Sequence, residues 1–362
     1  MKMEELSIGQ ICSRFSSGRN IKAANIHESG LYPVYGSNGL RGFTDSYNYD
    51  GECAIVGRQG AYCGNVKYVS GKSYMSEHAI VAKTNPNHNN KYFAYKLSLA
   101  KLGRFSGQAA QPGLSVTKLL RLKFEMPSKQ YQDRIASILS AYDSLIENNT
   151  KRIRLLEKMA ENLYKEWFVR FRFPGYEKAE MENGLPKGWK HGSLSDICEF
   201  KRGKNITASE MIAGNVPVIS AGIEPSGFHN KANVKGVSIT MSSSGANAGY
   251  IAIHYSDIWA ADCSFINETM TSYICYVYEL LNNIRGVITN FQRGAAQPHV
   301  YPKDINRIKL IIPSERLRAL ADERLSVIHK QIDNLAKQNT LLARRRDLLL
   351  PRLMSGKLEV KP

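Results

Sequence analysis

The chain contains itself twice, and no other feature constrains its fold as tightly. Ala109-Ala110-Gln111-Pro112 returns as Ala295-Ala296-Gln297-Pro298, an offset of 186 residues. At that offset Leu122, Phe124 and Met126 before Pro127-Ser128 answer Ile308, Leu310 and Ile312 before Pro313-Ser314. Such alternation reads as a strand with one buried face. Upstream, Tyr32-Pro33-Val34 resembles Val216-Pro217-Val218, and Phe43 matches Phe228. Gly60-Ala61-Tyr62-Cys63-Gly64 answers Gly245-Ala246-Asn247-Ala248-Gly249, and Leu6-Ser7 with Ile11-Cys12 answers Leu194-Ser195 with Ile197-Cys198. Matches this ordered exclude coincidence and imply a duplicated module.

Each copy has two parts. Residues 1–128 and 173–314 alternate short β-like runs, such as Ala54-Ile55-Val56 and Val237-Ser238-Ile239-Thr240, with Gly, Asn and Ser turns. Residues 129–172 and 315–362 are almost free of Gly and Pro for most of their length and predict long helices. The expected class is α+β: two tandem-repeated mixed α/β domains separated by two long helices. Apolar residues recur at 3-4 spacing in both helices. The first seam runs Leu139, Tyr142, Ile146, Asn149, Ile153, Leu156, Ala160, Leu163, Trp167. The second runs Leu325, Ile328, Ile332, Leu335, Asn339, Leu342, Arg346, Leu349, Leu353. Two amphipathic helices on separate cores would satisfy this pattern, but the seven-residue period kept over both seams favours a coiled coil. An antiparallel pair with a pseudo-two-fold axis needs only a short connection into the second domain. Setting Asn149 against Asn339 pairs polar with polar, brings Ile146 to Leu342, Ile153 to Leu335 and Leu156 to Ile332, and leaves one poor layer, Tyr142 with Arg346. A seam of about 28 residues is about 42 Å long, against about 34–36 Å for one turn of B-DNA. A spacer of that length suits a two-part target with an unread gap.

A formal charge of +17 points toward nucleic acid or an acidic membrane surface. No apolar run is long enough to span a bilayer, and the start MKMEELSIGQ has no signal-peptide pattern, so a cytoplasmic location is expected. The six cysteines, at 12, 53, 63, 198, 263 and 275, show no zinc spacing and read as buried thiols.

Base edges are read by Arg, Lys, Asn, Gln and Ser, and phosphates by any well-placed cation. In the first domain the candidate DNA-contacting residues are Ser37, Asn38, Arg41, Arg58 and Gln59 on glycine-bounded loops, with Lys67, Arg104 and Gln108 beside them. In the second they are Lys201, Arg202 and Lys204, then Ser242, Ser243, Ser244 and Asn247, then Arg293 and His299. For any one of these, an ordinary solvated loop side chain is the alternative. Gln111 and Gln297, each before Pro, suit a turn-bonding role better than a base contact. Residues 1–110 hold 13 Lys+Arg against 7 Asp+Glu and residues 190–300 hold 8 against 8, so the first domain should supply more of the phosphate attraction.

Catalytic signatures fail when tested. Gly71-Lys72-Ser73 ends like a phosphate loop, but Val66 stands where its upstream Gly belongs. Thr84-Asn85-Pro86-Asn87-His88 departs from the adenine-methyltransferase motif at its third and fourth positions and reads as a turn. No GxSxG, HExxH or nuclease constellation occurs. A binding protein is favoured, with no metal site and no catalytic residue.

The chain resembles the specificity subunits of type I restriction–modification enzymes along essentially its whole length. Leu185-Pro186-Lys187-Gly188-Trp189 before Leu194-Ser195-Asp196-Ile197 is similar to the opening of that family's recognition domains. Gln132-Asp133-Arg134-Ile135 and Leu163-Tyr164-Lys165-Glu166-Trp167-Phe168-Val169-Arg170-Phe171 resemble the start and end of its central helix, and Leu348 to Leu358 its C-terminal signature. The resemblance implies two target-recognition domains, 1–128 and 173–314, and two conserved helices, 129–172 and 315–362. It implies double-stranded DNA as ligand, docking of two DNA-methyltransferase subunits, and restriction/motor subunits joining through them. S-adenosylmethionine, ATP and magnesium would belong to those partners, with no cofactor in this chain. Two features depart from the pattern: the first repeat lacks the Pro-x-Gly-Trp opening, and Arg318 stands where the first helix has Gln132. Against this stand a self-contained nucleic-acid methyltransferase, which would transfer methyl groups unaided, and a two-headed scaffold for non-DNA ligands, which a gel shift would separate.

Overall fold

The structure is a computed structural model describing residues 2–107, 112–294 and 297–361. It divides into two units, residues 1–147 with 339–362, and residues 148–338. In the first unit a four-stranded antiparallel sheet has the order Cys12–Ser17, Ala79–Thr84, Cys53–Gly57, Val66–Val69. A three-stranded sheet has the order Gly39–Thr44, Tyr32–Gly36, Tyr74–Met75, the last pair parallel. Met3–Ser7 pairs with Lys123–Pro127. The second unit repeats this layout strand for strand. Its four-stranded sheet runs Lys201–Arg202, Cys263–Asn267, Ser238–Ser242, Ile251–His254. Its three-stranded sheet runs Gly227–His229, Val216–Ile219, Trp259–Ala260, again ending in a parallel pair, and Lys190–Ser193 pairs with Lys309–Ile312. The duplication in sequence is therefore a duplication of topology.

One equivalence shifts. A capping box at Ser7 and Gln10 returns at Ser193 and Asp196, so Ser7 answers Ser193 rather than Ser195. In each case the side-chain oxygen satisfies an orphan helix N–H. The two residues that follow these caps, Ile8 and Leu194, are fully buried.

The long helices are Lys129–Tyr164, continued by a π turn Lys165–Val169, and Glu315–Met354. In the first unit Ile135, Ala136 and Leu139 share a core with Leu349, Leu350, Leu353 and Met354. In the second, Ile153, Leu156, Ala160 and Tyr164 share one with Leu317, Ala321, Leu325, Ile328 and Ile332. Within each unit, rising numbers on one helix meet falling numbers on the other, the antiparallel sense. Every position of both seams is buried or half-buried. Asn149 Nδ2 donates to Gln338 Oε1 at 3.4 Å, one residue from Asn339. The poor layer resolves similarly: Arg346 Nη1 meets Asp143 Oδ1 at 2.6 Å, one residue from Tyr142. Long polar side chains reach past their own layer to the nearest complementary charge or amide.

Each unit ties a ten-residue helix to a long helix at matched positions. In the first, Tyr95 of Asn90–Leu99 donates to Asp143, which Arg346 also holds. Burial and the neighbouring Asp143 carboxylate push the Tyr95 phenol well above its usual range. In the second, Glu279 of Ile274–Asn283 bonds His329 Nε2 at 3.0 Å, and Tyr255 Oη bonds His329 Nδ1 at 2.7 Å. His329 and Glu279 are both buried. Asp143 and His329 lie 186 residues apart, so one architectural joint carries two chemistries.

The helix starts also differ. Gln132 is fully buried, donating to Pro127 O at 2.8 Å and accepting Asn89 N–H at 2.9 Å. Arg318 instead lies over the Tyr273 ring, 5.2 Å from its centroid. Trp189 of the Pro-x-Gly-Trp opening packs against Phe168, Phe171 and Phe173 in the second unit. All six cysteines are unpaired thiols; four are buried, while Cys12 and Cys63 are half-exposed, contrary to expectation for those two.

Candidate nucleic-acid interface

The glycine-bounded loop after the central strand is built by the same main-chain bonds in both units. In the first, Gly57 N–H donates to Asn65 O (2.8 Å), Gly64 to Gly57 O (2.8 Å), Cys63 to Gly60 O (2.9 Å), Gly60 to Pro112 O (2.9 Å) and Leu114 to Arg58 O (2.9 Å). In the second, Ser242 donates to Tyr250 O (2.9 Å), Gly249 to Ser242 O (2.9 Å), Ala248 to Gly245 O (3.0 Å), Gly245 to Pro298 O (2.9 Å) and Val300 to Ser243 O (3.0 Å). Gly64 has a positive φ, and a Cβ there would lie 2.1 Å from Gly103 N, so only glycine fits. These bonds equate Arg58 with Ser243, Gln59 with Ser244, and Tyr62 with Asn247. One main-chain frame thus carries different side chains in the two units: Arg58 half-buried and Gln59 exposed in the first, Ser243 and Ser244 buried in the second.

In the first unit Ser37, Asn38, Arg41 and Gln59 converge on a cleft of about 600 Å³, together with Tyr62 and His78. Asn38, Arg41 and Gln59 are exposed. Ser37 works internally: its hydroxyl donates to His78 O at 3.0 Å and accepts Gln59 N–H at 3.2 Å, tying the hairpin turn to the loop. Lys67 is exposed and lines an adjoining small hollow with Asn38. Arg58 is half-buried, its Nη1 donating to Ser17 Oγ at 3.2 Å. Arg104 lies outside the cleft, over the Phe105 ring at 4.8 Å. Gln108 and Gln111 fall outside the described residues.

In the second unit Lys201, Arg202 and Lys204 are exposed on and beside an edge strand. Ser242, Ser243 and Ser244 are buried, which corrects their reading as groups facing DNA. Ser242 Oγ donates to Ala221 O at 2.8 Å, and Ser244 Oγ to Asp262 Oδ2 at 2.7 Å. Arg202 Nη2 bonds the other oxygen of Asp262 at 3.3 Å. Asn247 is half-buried. Arg293 and His299 exchange two main-chain bonds at 2.9 and 2.8 Å, and Arg293 pairs with Asp304 at 3.0 Å. Gln297 is exposed beside this turn.

Tyr62, His78 and Asp262 were missed by reasoning from sequence. Tyr62 lies inside a repeated glycine loop, a usable signal, whereas His78 and Asp262 gain their places only through strand pairing. Among the described residues no cluster of His, Cys, Asp and Glu could hold a metal ion, and no helix is long and apolar enough to cross a membrane.

Residues 1–158 and 186–344 match the family model described as the type I restriction modification DNA specificity domain. The type I restriction enzyme EcoprrI specificity subunit of Escherichia coli is 38% identical over 160 residues, 43% of this chain and 40% of that one, less than half of the relative's length. The MjaIX specificity subunit of Methanocaldococcus jannaschii is 28% identical over 301 residues, 75% of this chain and 69% of that one. The crystal structure of a type I restriction–modification S subunit from M. genitalium shares the fold, with a TM-score of 0.72, 21% identity, and 98% and 96% of the two chains covered.

Proposed function

The chain belongs to the family of type I restriction–modification DNA specificity domains, and on that premise we propose that it is the non-catalytic, DNA-reading subunit of such an enzyme. Each unit reads one half of a bipartite duplex target. The observation that carries this reading is one duplicated frame exposing different polar side chains: Asn38, Arg41, Gln59 and Lys67 in the first unit, and Lys201, Arg202 and Lys204 in the second. Duplicated modules with identical outward chemistry would select a repeated half-site, whereas modules that keep the frame and change the readers select two different ones. Base recognition needs such variation, because each base pair offers its own donor and acceptor pattern in the major groove.

The exposed cations Arg41, Lys67, Lys201 and Lys204 suit phosphates, which position a reader without specifying sequence. The long helices, continuous through both units in sequence, suit docking of two DNA-methyltransferase subunits, with restriction/motor subunits joining through them. S-adenosylmethionine, ATP and magnesium belong to those partners in this proposal.

Mapping methylated adenines in cells with and without the chain tests the reading. A split motif that disappears with the chain is the expected result. Methyl transfer to DNA by the purified chain alone would reject it.

A further inference from the structure

We propose that one guanidinium in each unit, Arg58 in the first and Arg202 in the second, held at neighbouring positions of the duplicated frame, reads the major-groove edge of a guanine in each half of the target. This rests on the DNA-reading function above. Two duplicated positions carry the argument. Ser17 and Arg202 are equivalent, because each precedes a glycine bonded to the same strand: Gly18 N–H to Ala79 O at 3.0 Å, and Gly203 N–H to Cys263 O at 2.8 Å. Arg58 and Ser243 are equivalent through their matched bonds from Leu114 and Val300. At these two positions the residues are exchanged. The first unit has Ser17 and Arg58; the second has Arg202 and Ser243.

The exchange moves the guanidinium from the loop to the strand beside it while keeping one in the neighbourhood. Its support changes too. Arg58 is steered by the Ser17 hydroxyl at 3.2 Å, and Arg202 by the Asp262 carboxylate at 3.3 Å, which Ser244 Oγ holds in turn at 2.7 Å. Asp262 is thus a positioning residue, and His78 occupies its place in the first unit, each immediately preceding the matched strand. Among the described residues each guanidinium is hydrogen-bonded at a single nitrogen. An arginine anchored on one side presents its remaining N–H groups as an oriented fork, which matches O6 and N7 of guanine. The same fork also matches two phosphate oxygens, but a phosphate contact carries no sequence information and a base-edge contact does.

The test uses the full chain in its assembled enzyme, selecting bound duplexes from a randomised pool. The wild type should enrich a split motif with a guanine, on either strand, in each half. Arg58→Gln should lower preference for one guanine about tenfold while the other half-motif persists, which also reports that the protein is folded. Arg202→Gln should do the reverse, and Asp262→Asn should weaken the same position as Arg202→Gln. The triple variant Ser17→Arg, Arg58→Ser and His78→Asp, which copies the second unit's arginine with its carboxylate, should restore the lost preference. A uniform fall in affinity with base preferences intact would mark phosphate contacts and overturn the proposal, as would a wild-type motif lacking guanine in either half. A wild type that enriches no motif would remove the DNA-reading function and this proposal with it.

Discussion

Gly18 and Gly203 have no side chain because none fits. A Cβ on Gly18 would lie 2.1 Å from Met75 O, and one on Gly203 would lie 2.5 Å from Ala260 O, both main-chain atoms that cannot swing aside. Gly18→Ala or Gly203→Ala should cost about 1–3 kcal/mol or more, read as a lower urea midpoint; an unchanged midpoint would show that the strands can part. His254 offers a second test. Burial pushes its pKa down to about 4, and its ring bonds Thr240 Oγ1 at 2.8 Å. The unfolded chain, with an ordinary histidine, takes up the proton first, so the contribution to stability is complete above about pH 6.5 and is lost as pH falls toward 4. Between pH 7.5 and 5 the native chain should lose about 2 kcal/mol more than His254→Gln; equal losses in urea titrations would disprove this. Residue-scale facts were the least legible in the sequence. Whether Ser242, Ser243 and Ser244 face in or out depends on a strand register that no local pattern states. The exchange between Ser17–Arg58 and Arg202–Ser243 is hidden because loops of unequal length shift the repeat by a residue or two.

Elements were far more legible. The seams were readable because a helix repeats on itself, and helix geometry alone places each apolar residue. The polar layers landed one residue away, at Asn149–Gln338 and Asp143–Arg346, since long side chains span more than one layer. The joints between short and long helices could not be foreseen, because the short helices repeat at a different offset from the long ones. Their reversed polarity has an experimental signature. A chain in which residues 173–314 replace 1–128 sets a second copy of Glu279 against Asp143, carboxylate to carboxylate. Compared with the natural chain it should lose about 1.5–3 kcal/mol, and Asp143→His in that chimera should recover much of the loss. Thermal melting reads both, and a chimera as stable as the natural chain would show that the joint tolerates any pairing.

For the whole molecule, the uneven charge has a measurable outcome. Neutralising Arg41 and Lys67 together should flatten the slope of log affinity against log salt by about 2, and neutralising Lys201 and Lys204 by less, in titrations between about 50 and 200 mM salt. Equal changes would place the phosphate contacts evenly between the units. Replacing residues 1–128 with the first domain of another family member should alter one half of the recognised sequence and leave the other. The duplication that organises all of this was visible at once, since two copies of a topology need two copies of its turns. The glycine loops carry one more consequence. The bonds that the two loops share run from amide to carbonyl and use neither the Gln59 nor the Asn247 side chain, so the common frame asks nothing of those two groups. Evolution can therefore retype the message at Gln59 or Asn247 without resetting the page, and a new specificity need not begin with a less stable protein.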